Sequence, residues 1–234
     1  MSKNNSSIYL KLKNELNMKF IAVEEELTEM KKNKGITDAL EYKILIIGDN
    51  LTGKTSFCNR FVFNDFDLEL KPSTETNCYL KSIILFDKEI KIYLLDVESI
   101  PISPLNEKEE KELYSDIDGI IVIYDITQYE SFNHIDKLLI NTKKKCNKKD
   151  NIPIVMIGNK NDLKFLRNID FAEAKEKAEE LKCELREINC NRDENLVDDI
   201  IKKLIAKIYF NNLDKDEKEK IKKKAKEYLE KNKI

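Results

Sequence analysis

Gly48-Asp49-Asn50-Leu51-Thr52-Gly53-Lys54-Thr55 follows directly on the apolar run Ile44-Leu45-Ile46-Ile47. The run is short and rich in β-branched residues, as a buried parallel strand should be, and Thr55-Ser56-Phe57-Cys58-Asn59-Arg60-Phe61-Val62 can open a helix. A strand, a tight loop and a helix N-terminus aim successive backbone N–H groups at one point, where the helix dipole also favours negative charge. The octet fits G-x-x-x-x-G-K-[ST], so Asp49, Asn50, Leu51, Thr52, Gly53 and Ser56 are expected to line a phosphate cradle. Lys54 would add a point charge reaching the β- and γ-phosphates, and the Thr55 hydroxyl is a hard oxygen ligand suited to Mg²⁺.

Outward from this loop, helical and strand patterns alternate. A loop through Lys71-Pro72-Ser73-Thr74 leads to two alternating strands, Tyr79 to Phe86 and Ile90 to Leu95, joined by Asp87-Lys88-Glu89 and read as a hairpin. Gly119 to Asp125 and Pro153 to Gly158 are buried strands, with helical patterns around Phe132 to Lys143 and Phe171 to Cys183. A last short strand, Glu184 to Ile188, precedes a helix over Leu196 to Tyr209. Such alternation means an α/β fold with a doubly wound, mostly parallel six-stranded sheet flanked by helices, and a ligand crevice at the carboxyl ends of its strands.

Three segments are expected: an amphipathic helical extension over 1–40, the α/β domain over 41–210 and a charged tail or helix over 211–234. In the first, Leu16, Phe20, Val23, Leu27 and Met30 recur at spacings of four and three, a stripe that packs on its own domain or serves as a dimer or effector coil. In the last, Ile221, Ala225, Tyr228 and Leu229 form a thin apolar stripe in a solvated helix. The Lys143-Lys144-Lys145-Cys146-Asn147-Lys148-Lys149 run reads as a solvated charge cluster. With 42 basic and 44 acidic residues and a net charge of −2, the chain carries no nucleic-acid footprint. Five cysteines without a C-x-x-C pair point to free thiols in the cytosol. No apolar run approaches the ~18 residues of a membrane span.

Asn159-Lys160-Asn161-Asp162 follows the strand Ile154 to Ile157, on the same rim as the phosphate loop. A carboxylate at Asp162 can accept both the ring N–H and the exocyclic amine of guanine; adenine lacks those donors, and the unpaired carboxylate would cost roughly 1 to 3 kcal/mol. Asn159 can bond the base and tie neighbouring loops together, while the Lys160 stem can lie over the ring face. With these motifs in place, the stretch from about Tyr42 to Tyr209 resembles a small GTPase of the Ras superfamily, nearest the Rab-type branch. Tyr124-Asp125-Ile126-Thr127 with Ser131-Phe132, and Arg60-Phe61, match further family motifs. The resemblance implies a phosphate-loop NTPase fold, GTP and GDP as ligands with Mg²⁺, and protein effectors, an exchange factor or a GTPase-activating partner. It implies that Asp96 holds Mg²⁺ through water, that Ser73, or Thr74 with a slip of one, is the switch hydroxyl on Mg²⁺, and that Asn189-Cys190-Asn191 is the guanine loop, with the Cys190 N–H facing the guanine oxygen.

The same resemblance shows departures around the γ-phosphate. Glu75 replaces the Gly after the switch hydroxyl, Ser99 replaces the Gly that follows the γ-phosphate, and Ile100 replaces the Gln that orients attacking water. An isoleucine has no donor or acceptor, so intrinsic hydrolysis is expected to be very slow and no catalytic residue is assigned. Pro101 and Pro104 restrict a segment that moves in the family. Glu227 to Ile234 contains no cysteine, so no prenyl anchor is expected, and peripheral membrane association would need a partner. Two functions follow: a slow guanine-nucleotide switch, or a pseudo-GTPase scaffold that presents its terminal helices to a partner. A phosphate-loop kinase would share only the first motif. His134, the one histidine, is expected in a surface or satisfied contact without a catalytic role.

Overall fold

A computed structural model describes residues 39–64, 76–85, 88–97, 106–146 and 151–220. Within them the order is β1 (Ala39–Ile47), α1 (Lys54–Phe63), β2 (Asn77–Leu85), β3 (Lys88–Asp96), α2 (Glu107–Tyr114), β4 (Gly119–Asp125), α3 (Tyr129–Asn133), α4 (Ile135–Lys145), β5 (Ile154–Asn159), a 3-10 turn (Asn161–Leu166), α5 (Phe171–Glu180), β6 (Glu184–Glu187) and α6 (Glu194–Asn212). The six strands form one sheet in the order β2-β3-β1-β4-β5-β6. Only β2 runs antiparallel, paired with β3 from Asn77 opposite Asp96 to Leu85 opposite Lys88, and the remaining pairs are parallel. The strand order reverses at β1, whose neighbours are β3 and β4, so the phosphate loop leaves its strand at the switch point of the sheet.

Alternation along the strands divides the core into two layers. Ile44 and Ile46 of β1 join Ile121 and Ile123 of β4 on the face covered by Phe57 and Phe61 of α1 and Val197, Ile201 and Leu204 of α6. Leu45 and Ile120 point the other way, onto Leu113, Phe132, Ile135, Leu139 and Ala174 of α2 to α5. Burial on both faces explains why the inner strands read as continuous apolar runs.

The expected elements are present with shifted ends. The sheet begins at Ala39 rather than near Tyr42, and the hairpin strands start earlier than their alternation indicates. The helical pattern around Phe132 to Lys143 is two helices meeting at His134, and the pattern from Phe171 ends at Glu180, before Cys183. Helix α6 extends from Glu194 to Asn212, beyond both expected ends. Residues 215–220 are helical too, opened by reciprocal bonds between Asp214 and Glu217: the Glu217 N–H donates to Asp214 Oδ1 at 2.8 Å and the Asp214 N–H to Glu217 Oε2 at 3.1 Å. The stripe of residues 16–30, the Pro101 and Pro104 segment, Asn147 to Lys149 and the tail beyond 220 lie outside the described residues.

Ile121 is fully buried at the middle of β4. Ile121→Ala should lower unfolding stability by about 3 kcal/mol, seen as a lower urea midpoint at unchanged slope. A loss below about 1 kcal/mol would mean that the strand is not packed as tightly as its burial indicates.

Candidate functional site

The phosphate loop is held by contacts that leave no room for other residues at its two glycines. Gly48 has φ 151°, and a Cβ there would lie 2.1 Å from the Ile123 carbonyl oxygen of β4. Gly53 has φ 101°, and its Cβ would lie 2.1 Å from Asn159 Nδ2. Between them, Thr52 is buried and its hydroxyl donates to the Asp49 carbonyl at 2.9 Å. Helix α1 starts at Lys54 with no side-chain cap among the described residues and no acidic residue in its first turn, so the positive end of its dipole is left for an anion. Lys54 is buried, and its Nζ donates to the Gly48 and Asp49 carbonyls, each at 3.0 Å, which holds the charge inside the loop it is expected to serve.

Beside the loop, the Thr55 hydroxyl donates to Asp96 Oδ2 at 2.6 Å. Asp96 ends β3 opposite Ile46 of β1, so the strand end brings the carboxylate beside the phosphate loop, where the first turn of α1 supplies the hydroxyl. Burial pushes the Asp96 carboxyl above its ordinary pKa, against the Thr55 hydrogen bond and the Lys54 charge, which both pull it down. A buried carboxylate next to a hydroxyl is a hard-oxygen donor pair. That fits Mg²⁺, which takes one or two protein oxygens and completes its shell with phosphate and water. Among the described residues no group of three or more His, Cys, Asp or Glu side chains could hold a metal by itself. Ser73, Thr74, Glu75, Ser99 and Ile100 lie outside the described residues.

On the guanine side, Asn159 is the last residue of β5 and is buried. Its Nδ2 donates to the Thr52 carbonyl at 2.9 Å, and its Oδ1 accepts the Cys190 N–H at 3.3 Å. One side chain thus joins the phosphate loop to the 189–191 loop. The Cys190 N–H, expected to face a guanine oxygen, here meets Asn159 instead, at the long end of hydrogen-bond range. The loop is shaped by its own side chains: the Asn189 N–H donates to Asp193 Oδ2 at 2.7 Å and the Asn191 N–H to Asn189 Oδ1 at 2.9 Å. Asp162 sits exposed in the first turn of the 3-10 segment. Lys160 takes φ 65° and places its Nζ 2.6 Å from Asp125 Oδ2, which fixes the stem expected to lie along the base.

A model of the Ras family matches residues 43–210, well over half of the chain. The chain belongs to the Ras family of small GTPases. It is 26% identical to the Ras-related protein O-RAL of Diplobatis ommata over 198 residues, which cover 80% of this chain and 90% of that protein. It is 27% identical to the Ras-related protein Rab-11A of Dictyostelium discoideum over 168 residues, 72% of this chain and 76% of that protein. Against the Ras-related protein Rab11A of Lotus japonicus it is 30% identical over 138 residues, 59% of each. The six-stranded, mostly parallel sheet flanked by helices is accordingly a Ras-like G domain, and Ras-family GTPases bind GTP and GDP with Mg²⁺.

Within this Ras-family domain the structure brings several further residues to the site. Asp125, quoted only as part of a motif, is buried and binds Thr127 twice through Oδ1, at 2.9 Å to the N–H and 2.8 Å to the hydroxyl, besides its pair with Lys160. Arg167 grips Glu187 with two bonds of 2.7 Å, fastening the end of the 3-10 turn to β6 just before the 189–191 loop. The expected contact of His134 is with the phosphate loop itself, Nδ1 lying 2.7 Å from Asp49 Oδ2. Leu51 has φ 64° and an exposed side chain, a left-handed conformation in the middle of the loop. Among the described residues no helix is long and apolar enough to cross a membrane.

Two outcomes follow. Because the folded pKa of Asp96 is raised, proton uptake favours the folded state: its contribution is most favourable below the ordinary carboxylate pKa and declines as pH rises through the raised value. In EDTA, Asp96→Asn should therefore be at least as stable as wild type at pH 7 and lose part of the acid-side pH dependence, while Mg²⁺-supported GDP affinity drops; a less stable metal-free variant would contradict this balance. At Leu51, left-handed backbone costs a non-glycine residue about 1 to 2 kcal/mol, against about 0.5 to 1 kcal/mol for the extra freedom of an unfolded glycine. Leu51→Gly should hold or raise the melting temperature and the β-branched Leu51→Val should lower it, as calorimetry would show.

Proposed function

We propose that this chain is a guanine-nucleotide switch that binds GTP or GDP with Mg²⁺ and hydrolyses GTP slowly unless a partner protein supplies catalytic groups. In this reading residues 41–210 form the nucleotide-binding domain, and 1–40 and 211–234 are extensions open to effectors or to a second copy. The observation that carries it is the Thr55 hydroxyl on Asp96 Oδ2 at 2.6 Å, beside a phosphate loop fastened by Asn159. Residues 49–56 would bind the phosphates, with Lys54 as the charge. Thr55, Ser73 and Asp96 would hold Mg²⁺, which spreads phosphate charge when bound. Asn159, Lys160, Asp162 and the 189–191 loop would hold guanine. The Rab and Ral names of the relatives support a place in membrane traffic or signalling, with membrane contact made through a partner.

Slow hydrolysis rests on Ile100 and Ser99 in the sequence. The same two residues favour a second reading, a pseudo-GTPase scaffold that keeps nucleotide without switching. Extraction of bound nucleotide followed by single-turnover assay with GTP and Mg²⁺ separates them. The switch should yield guanine nucleotide and slow turnover that Lys54→Ala abolishes and Ser99→Gly with Ile100→Gln accelerates. Bound nucleotide without turnover, even with added partner proteins, would favour the scaffold, and failure to bind GDP or GTP with Mg²⁺ would overturn both.

A further inference from the structure

Arg60 is partly buried on the second turn of α1, and its guanidinium is spread across two parts of the molecule. Nε donates to the Cys190 carbonyl at 2.8 Å and Nη2 to the Asn191 carbonyl at 2.7 Å. Nη1 donates to the Asn64 carbonyl at 3.1 Å and to Asn64 Oδ1 at 3.2 Å, where the chain leaves α1 in a left-handed cap. These bonds complete a circuit. The Thr52 carbonyl accepts from Asn159, Asn159 accepts the Cys190 N–H, the Cys190 carbonyl accepts from Arg60, and α1 returns from Arg60 to Lys54 beside the phosphate loop.

We infer that Arg60 is a positioning residue for base recognition, its planar fork setting the height at which the 189–191 loop presents the Cys190 N–H, bonded to Asn159 only at 3.3 Å, to the six-position of a purine. The inference rests on the guanine reading of that loop given above. A planar fork suits the task because two adjacent carbonyls on one turn are fixed in direction as well as distance, which a lysine point charge cannot do. Asp193 and Asn189 bond the loop's N–H groups from within, and Asn159 takes only the Cys190 N–H, so among the described residues Arg60 is what grips these two carbonyls from α1. Removing Arg60 leaves the loop tied to the rest of the site by the single 3.3 Å bond to Asn159 among the bonds described here.

The test compares GDP with the diphosphate of 6-thioguanosine, which keeps the ring N–H and the amine proposed to meet Asp162 and puts sulfur, a weaker acceptor, in place of the oxygen at the six-position. Dissociation rates are measured for wild type, Arg60→Ala and Arg60→Lys with Mg²⁺, and amide exchange at residues 189–191 is followed in the same proteins. GDP should leave Arg60→Ala about tenfold faster, the worth of a charge-assisted hydrogen bond, while the analogue, whose sulfur gains less from the loop, is accelerated less, so that the preference for GDP shrinks. Arg60→Lys, which keeps the charge without the fork, should also lose preference and show faster exchange in the loop. A residue that merely stabilises the fold would speed both ligands equally, and an unchanged GDP-to-analogue ratio in either folded variant would overturn the inference. If wild type itself bound neither ligand, the guanine reading would fall instead, so the two failures are distinct.

Discussion

The side-chain amide of Asn159 is the constraint on which the site depends. It stands at the end of a fully buried strand, so its position is set by the sheet and not by a loop. From there it donates to the phosphate loop, accepts from the guanine loop and crowds Gly53 so closely that no side chain fits. An amide suits this post because it is donor and acceptor at once; a carboxylate could only accept and would leave the Thr52 carbonyl unpaired in a buried place. The phosphate loop, its left-handed turns at Gly48, Leu51 and Gly53, and the start of α1 are then fixed relative to the guanine side before any ligand contributes energy. Such preorganisation lowers the ordering cost that binding would otherwise carry.

How much of this is legible in the sequence depends on the range of the forces involved. The phosphate loop, the inner strands and the helices that cover them follow from local spacing and period, and the structure has them where expected within a few residues. Helix α2 is different: its eight residues are mostly charged, and its signal is the capping box from Asn106 to Glu109, with bonds of 2.9 and 3.0 Å, rather than an apolar stripe. The break at His134 is hidden because apolar residues on both sides keep a helical period through it. Arg60, Arg167 and Asp125 escape sequence reasoning for a further reason. The partners Cys190, Glu187 and Lys160 stand 130, 20 and 35 positions away (160 less 125 for the last), and nothing in local pattern records bonds of that range.

Gripping the nucleotide and reacting with it draw on separate parts of such a chain. Ser73 aside, the residues proposed to grip it lie on α1, at the ends of β3 and β5 and in the loops that follow β1, β5 and β6, all built on the buried sheet. The residues that differ from the family at the γ-phosphate, Glu75, Ser99 and Ile100, lie between those elements in the sequence. In the proposed reading, a change of Gln to Ile removes a group that orients water and subtracts from turnover, while the residues proposed to hold the nucleotide are kept. Affinity and hydrolysis can therefore part company in this chain.

The buried Asp96 shows the same separation in electrostatic form. Its carboxylate is taken out of water at a cost that the Thr55 hydroxyl and the Lys54 charge offset only in part, which is why its pKa rises rather than falls. An isolated fold would be better served by a neutral side chain at that position. A bound cation would lower the carboxyl's pKa again, and the hydroxyl beside it is a second hard oxygen of the kind such a cation takes. The burial of Asp96 beside Thr55 is thus compatible with the Mg²⁺ site proposed above.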